Sequence, residues 1–346
     1  MLKDKSKEIL EFVKENPSLS SKNIHEGLES KIGYATVKRI LTKLISDNLI
    51  ITLGKGRGTK YKISATYELF YPINVEEYFE KEIDEREIKN HFNLLLIKDV
   101  LSKTKLFTED EIQHLDNLQK KYAENTSKLT KLEYKKELER LAIDLSWKSS
   151  QIEGNTYSLL ETERLLREHE TAEGKGKDEA TMLLNHKEAL DFIIANPNYI
   201  NTLNISRIED IHSLLIKNLG IDRNIRKRRV GISGTNYTPI DNEYQIIEAL
   251  NDMCDLVNNC ESIFDKALFL LVLISYIQPF ADGNKRTARI VSNAVLINNK
   301  YCPISFRTIN SVEYKKAMLL FYEQNNVTAF KKIFINQFEF AVMTYF

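Results

Sequence analysis

The chain has 346 residues, 42% hydrophobic and 28% charged, a globular composition with more length than one typical domain uses. Lysine plus arginine number 49, as do aspartate plus glutamate, so no overall field draws the molecule towards nucleic acid or membrane. The longest apolar stretch, Ala267–Ile277, is too short for a membrane span, and three cysteines without CxxC spacing (Cys254, Cys260, Cys302) suggest neither disulfides nor zinc.

The opening Met1-Leu2-Lys3-Asp4-Lys5 lacks the apolar core of a signal peptide, so a cytoplasmic, mainly helical protein is expected. The even charge total hides an asymmetry: residues 1–64 hold thirteen Lys/Arg against seven Asp/Glu. That excess is a reason to look for an anionic partner at this end. Ser6–Glu15 reads as a helix broken at Asn16-Pro17, and Ser20 or Ser21 can cap a second helix through Leu28. After Gly33 and Tyr34, the positions Val37, Ile40, Leu41, Leu44 and Ile45 bury one stripe of a third helix and leave Lys38, Arg39, Thr42 and Lys43 outside. Leu49–Leu53 and Lys60–Ile63 read as strands around the glycine-rich turn Gly54–Thr59, which carries Lys55 and Arg57 but lacks phosphate-loop spacing. Three helices and a basic hairpin resemble a winged helix-turn-helix. The resemblance implies DNA binding through residues 1–65, with Lys38, Arg39 and Lys43 at the groove and Lys55 and Arg57 on the backbone. A protein-docking module is the alternative.

Residues 66–128 read as a helical connecting region without chemistry, with helical periodicity over Glu85–Lys103 (Leu94, Leu95, Ile97, Val100, Leu101) and Glu109–Ala123. A long helix is predicted from Leu129 to Ile152, and Ala172–Lys177 is expected to form a loop.

Chemistry concentrates further on. Lys266–Ile277 is apolar nearly all round and so is a buried helix. It stops at Gln278-Pro279-Phe280-Ala281-Asp282-Gly283-Asn284-Lys285-Arg286-Thr287-Ala288-Arg289, after which a second apolar helix is predicted through Ile297. A tight loop there offers free backbone N–H groups at a helix start, which is an anion site. Arg286 and Arg289, three apart, can fork onto phosphate oxygens, and Asp282 is the hard oxygen ligand that Mg²⁺ takes beside phosphates. The cluster points to a Mg-nucleotide or another polyphosphate. The bland alternative, Asp282 as a helix cap and the arginines in surface ion pairs, fits poorly with a buried helix ending in so polar a run.

This string closely resembles the signature His-Pro-Phe-x-Asp/Glu-Gly-Asn-Gly/Lys-Arg-x-x-Arg of the Fic (Fido) family. Its members mostly transfer AMP from ATP to a Tyr, Ser or Thr hydroxyl of a target protein. The resemblance, covering about residues 130–346, implies an all-helical core, over residues 129–346, with a small β-hairpin flap. It implies Mg²⁺ on Asp282, an ATP cradle from Phe280, Gly283, Asn284 and Lys285, the β-phosphate on Arg286 and the γ-phosphate on Arg289. Asn284 and Arg286 then also serve catalysis. Ser149-Ser150-Gln151-Ile152-Glu153-Gly154 resembles the family's inhibitory motif, on a helix spanning about 129–155, in which Glu153 pairs with Arg289. Arg228–Pro239 resembles the flap, so Val230, Gly231, Ile232, Gly234 and Tyr237 are expected to dock the target by strand addition. His212 in Ile211–Leu215 reads as structural.

One position departs. Gln278 stands where the family has the histidine that takes the attacking hydroxyl's proton, and a carboxamide has no usable basicity near neutral pH. Losing a positioned base costs about 10²–10⁴ in rate, leaving weak transfer or none. Two readings follow: an autoinhibited protein adenylyltransferase whose target is another protein or itself, or an inactive nucleotide-binding Fic protein acting as a DNA-binding regulator. Another phosphotransfer on the same scaffold is a third, which nothing in the sequence selects. A membrane partner is not expected, and homo-oligomerisation stays open.

Overall fold

The computed structural model describes residues 4–346, and of Arg57 the backbone alone. Helices α1 (Asp4–Glu15), α2 (Ser21–Gly27) and α3 (Tyr34–Ser46) pack with a three-stranded antiparallel sheet of β1 (Leu19–Ser20), β2 (Ile50–Leu53) and β3 (Lys60–Ile63), with β3 in the centre. Ser20 caps α2 by accepting from the N–H of Asn23, and Gly33 opens α3. Ile9, Leu10, Val13, Ile24, Val37, Leu41 and Leu44 are buried here, as the helical spacing requires. Lys38, Arg39 and Lys43 stay exposed on α3 and Lys55 on the turn, and none of them pairs with a carboxylate among the described residues. The side chain of Arg57 lies outside those residues.

The middle of the chain departs from its periodicity. After α4 (Tyr67–Phe70) and α5 (Val75–Glu80), the stretch Glu85–Lys103 forms no α-helix. A 3₁₀ turn over Ile83–Glu85 gives way to extended chain, then to a short π and 3₁₀ segment over Leu96–Lys103. Its backbone bonds elsewhere instead: Lys89 N–H donates to the carbonyl of Glu323, and Asn90 carbonyl accepts from Thr238. Leu96, Ile97 and Leu101 are buried, whereas Leu94 and Leu95 face outward.

The remaining helices are α6 (Glu109–Ser127), α7 (Lys131–Ile152), α8 (Leu159–Glu168), α9 (Lys177–Ala195), α10 (Ile205–Leu215), α11 (Glu243–Asn259), α12 (Ile263–Ile277), α13 (Asn284–Asn298), α14 (Ser311–Gln324) and α15 (Thr328–Tyr345). Thr108, Thr130 and Ser158 open α6, α7 and α8 with reciprocal Glu contacts three residues on. At the centre lies α12, buried from Phe264 to Ile277 except for partly buried Lys266, with α13 packed against it. Each Leu or Ile buried there contributes about 1.5–3 kcal/mol, so this hairpin is a stiff mount for the loop joining its helices. No described helix is long and apolar enough to cross a membrane.

Candidate nucleotide site

The α12–α13 loop is held by its own polar groups. Gln278 ends α12 in the left-handed region (φ 52°), a conformation costing a non-glycine residue about 1–2 kcal/mol. Three bonds offset that strain: its carbonyl accepts from Arg226 Nε at 2.6 Å, its Nε2 donates to the Ser275 carbonyl at 2.6 Å, and its Oε1 accepts from Asn284 Nδ2 at 2.9 Å. Asn284 also braces Phe280, accepting from its N–H and donating to its carbonyl, both at 2.9 Å. Phe280 stacks on His212 with ring centroids 3.7 Å apart. The imidazole sits between the carbonyls of Asp282 (3.0 Å) and Arg223 (3.2 Å), of which a neutral ring can serve only one as donor. Burial pushes the pKa of His212 down. Gly283 (φ 81°) turns the chain where a Cβ would meet the His212 ring and Ile216 at 3.4 Å.

Behind the loop lie two buried guanidinium groups. Arg286 reaches Asp282 Oδ2 at 3.3 Å and the Leu215 carbonyl at 3.5 Å, and its Nε has no partner. Arg289, fully buried, donates from Nε to Ser149 Oγ at 2.8 Å and from Nη2 to the Ser149 carbonyl and Glu153 Oε1, both at 2.9 Å. Its Nη1 is unpartnered. Glu153 follows the last residue of α7, and its other oxygen lies 3.5 Å from Lys285 Nζ. Burial alone would raise the Glu153 pKa, but the Arg289 and Lys285 cations outweigh it and hold the carboxyl below its ordinary value. A carboxylate thus sits on the cationic end of the loop, and buried N–H groups remain for a further acceptor.

A cavity of about 320 Å³ opens over this cluster. Gln278 and Ala281–Lys285 form its floor, Ile152 and Glu153 one wall, and Lys315, Met318, Leu319 and Tyr322 of α14 the opposite wall. Val230–Ser233 form the rim. No imidazole lines it: His212 lies behind Phe280, and buried His186 has neither ring nitrogen bonded.

Residues 202–296 match the model of the Fic/DOC family, and residues 2–121 that of the penicillinase repressor. The chain contains a Fic/DOC domain, preceded by a winged helix-turn-helix. Among curated proteins it is 26% identical over 169 residues to protein adenylyltransferase fic-1 of Caenorhabditis elegans, covering 47% of this chain and 33% of that protein. To protein adenylyltransferase Fic of Aedes aegypti it is 27% identical over 219 residues, 57% of this chain and 42% of the relative. The chain therefore spans well under half the length of either relative. Solved structures share the fold. Residues 134–508 of C. elegans Fic-1 align over 68% of this chain and 72% of theirs (TM-score 0.60, 22% identity). A Fic family protein from Desulfovibrio desulfuricans G20 aligns over 66% and 73% (TM-score 0.55, 19% identity).

The structure brings Ser149, Glu153, Gln278, Phe280, Asp282–Arg286 and Arg289 into one cluster. Gly154 (φ 101°) turns the chain away after Glu153. The flap is different. Residues 228–237 form no hairpin but an extended loop turning at Ser233–Gly234, because the second arm bonds to residues 84–91 instead of to the first. Tyr237 does not face a target: it is buried, donates to the Tyr276 carbonyl at 3.0 Å and stacks between Tyr276 and Tyr322.

Sequence reasoning missed two arginines. Arg226, buried, holds the carbonyls of Gln278, Arg228 and Ile240. Arg86, from the region read as devoid of chemistry, holds the flap carbonyl of Gly234. The signal available was weak: an arginine among many, with partners far along the chain.

Proposed function

We propose that the cavity binds ATP with Mg²⁺ and that the Fic domain transfers AMP to a hydroxyl of a target protein, held off in the free chain by Glu153. The carrying observation is the Glu153 carboxylate on Arg289, with Arg286 Nε and Arg289 Nη1 buried and unpartnered beside it. A triphosphate supplies acceptors for those groups and competes for the place of the carboxylate. Arg286 and Arg289 would take the β- and γ-phosphates, and the free amides at the start of α13 would take the rest, helped by Phe280, Gly283, Asn284 and Lys285.

Among the described residues no cluster of three or more His, Cys, Asp or Glu can hold a metal alone. One exposed carboxylate, Asp282, fits Mg²⁺, which keeps waters and shares phosphate oxygens rather than taking a protein cage. Bound there, the ion would neutralise phosphate charge as it develops. The loop orients the α-phosphate for in-line attack, and positioning with charge stabilisation supplies most catalysis in such transfers. Gln278 cannot take the hydroxyl proton, so transfer is slow.

A second reading has its own observation. Both ends of the Gln278 carboxamide are already used, on Ser275 of α12 and Asn284 of α13. That favours a nucleotide-binding protein without transfer, coupled to DNA through Lys38, Arg39, Lys43, Lys55 and Arg57. Either reading divides the chain into 1–65, 66–128 and 129–346 and places it in the cytoplasm. Incubation of the wild type and of Glu153→Gly with α-labelled ATP and Mg²⁺, scoring label on the chain or on lysate protein, tests them. Label on protein supports transfer; binding of the nucleotide without label supports the regulator, and no binding sinks both.

A further inference from the structure

Residues 82–93 carry observations that neither reading uses. Beyond the 3₁₀ turn the chain crosses the end of α14 and runs beside the flap. Arg86 is buried there, its Nη1 3.2 Å from Glu323 Oε1, its Nη2 donating to the Gly234 carbonyl at 2.8 Å. Glu323 is wholly buried and accepts from the Tyr78 hydroxyl at 2.7 Å, while the guanidinium lies over the Phe79 ring at 5.0 Å. Asp84 accepts from Asn236 at 3.0 Å, Thr238 N–H donates to the Asn90 carbonyl at 2.8 Å, and His91 pairs with Thr238 as a parallel bridge.

The contacts that reach the flap fall at its turn and on one arm, Gly234–Thr238. Desolvating a guanidinium and a carboxylate is expensive, and it is offset only by good geometry and further hydrogen bonds. Here the further bonds run to the flap carbonyl and from the Tyr78 hydroxyl, while Arg86 Nε and Glu323 Oε1 make no hydrogen bond. On the other arm, Val230–Ser233 make no backbone hydrogen bond to any described residue, and they rim the cavity. The strap thus takes the place that the first arm holds in a hairpin, and it leaves that first arm open.

We infer that Arg86 is a positioning residue for the target: it latches the strap to Gly234, so that Val230–Ser233 are presented as a single free edge. In the transfer reading the flap docks the target's hydroxyl-bearing segment by strand addition, and the latch stops that added strand at Gly234, where the strap begins. This rests on the transfer reading for its consequence and on the strap geometry alone for its mechanism.

The test uses the full chain, as wild type, Arg86→Ala and Asp84→Ala. Asp84 is exposed, so its variant folds even where loss of a buried ion-pair partner prevents folding. Hydrogen exchange at the Thr238 amide is expected to rise tenfold or more in Arg86→Ala and several-fold in Asp84→Ala, with ATP affinity within twofold of wild type. In transfer assays KM for the protein target rises, with kcat within twofold. Unchanged exchange at Thr238 in either folded variant overturns the latch, as does a fall in kcat at constant KM. If Glu153→Gly, freed of the inhibitory carboxylate, labels no protein, the transfer reading falls, and the exchange result alone decides the latch.

Discussion

Glu153→Gly is the most informative single change. It removes the one carboxylate that meets Arg289 while Ser149 keeps its two bonds to the guanidinium. Removing one partner of a buried pair costs about 3–5 kcal/mol. The retained Ser149 bonds and the one-fifth exposure of the Glu153 side chain put this case lower, at about 2–3 kcal/mol. The nucleotide-free variant should therefore unfold at lower temperature. If the γ-phosphate supplies the missing acceptor, that energy returns on binding, and at about 1.4 kcal/mol per tenfold the affinity for ATP rises roughly 30–140-fold. ADP, which ends one phosphate short, gains less. By linkage, saturating ATP should narrow the stability gap between variant and wild type. Calorimetric titration with ATP and ADP, with thermal unfolding at fixed nucleotide, reads all of this. Equal gains for ADP and ATP, or an undiminished stability without nucleotide, would refute the assignment of Arg289 to the γ-phosphate.

In the Glu153→Gly background, Gln278→His should raise transfer by on the order of 10²–10⁴ and make it rise with pH through the imidazole's titration; flat rates measured with labelled ATP favour the regulator. Residues 1–65, within the full chain, should shift duplex DNA at low salt, with affinity falling steeply as salt rises, and no shift in a mobility assay favours protein docking. Asp265 offers a pH test of stability. Burial pushes its carboxyl up from 3.8 to about 6, and its Oδ1 is unpartnered. Its contribution is therefore complete below pH 3.8 and lost as pH rises through 6. Asp265→Asn should stabilise the fold at pH 8, by no more than about 3 kcal/mol, and by about half as much at pH 5. Thermal unfolding at both values checks it, and an equal effect at both would show that ionisation is not the cause.

What the sequence made legible was local. The boundary of α3 at Gly33, the strand Lys60–Ile63 and the bracket around Gln278–Arg289 all follow from caps, turns and apolar spacing within a dozen residues. The Glu153–Arg289 pairing spans 136 positions and was legible only through the motif, since a glutamate ending a helix carries no sign of its partner. Glu85–Lys103 misled because its apolar spacing is helical, whereas its polar residues settle the matter. Arg86 and Asn93 are bonded to groups 148 and 232 positions away, which a helix there could not reach. The flap misled for the same reason: its strand partner is the strap and not its own first arm.

Arg226 has a further consequence for how this protein can vary. Its guanidinium grips the carbonyls of Arg228 and Ile240, so the two feet of the intervening loop are pinned to one side chain, which is itself fixed to Gln278. Between those feet Val230–Ser233 rim the cavity and Tyr237 packs on Tyr276 and Tyr322, so a change of length there is felt at the cavity edge and at the end of α12. Exchange of sequence in this segment is therefore easiest at the exposed positions Gly231 and Ser233 and hardest at buried Tyr237.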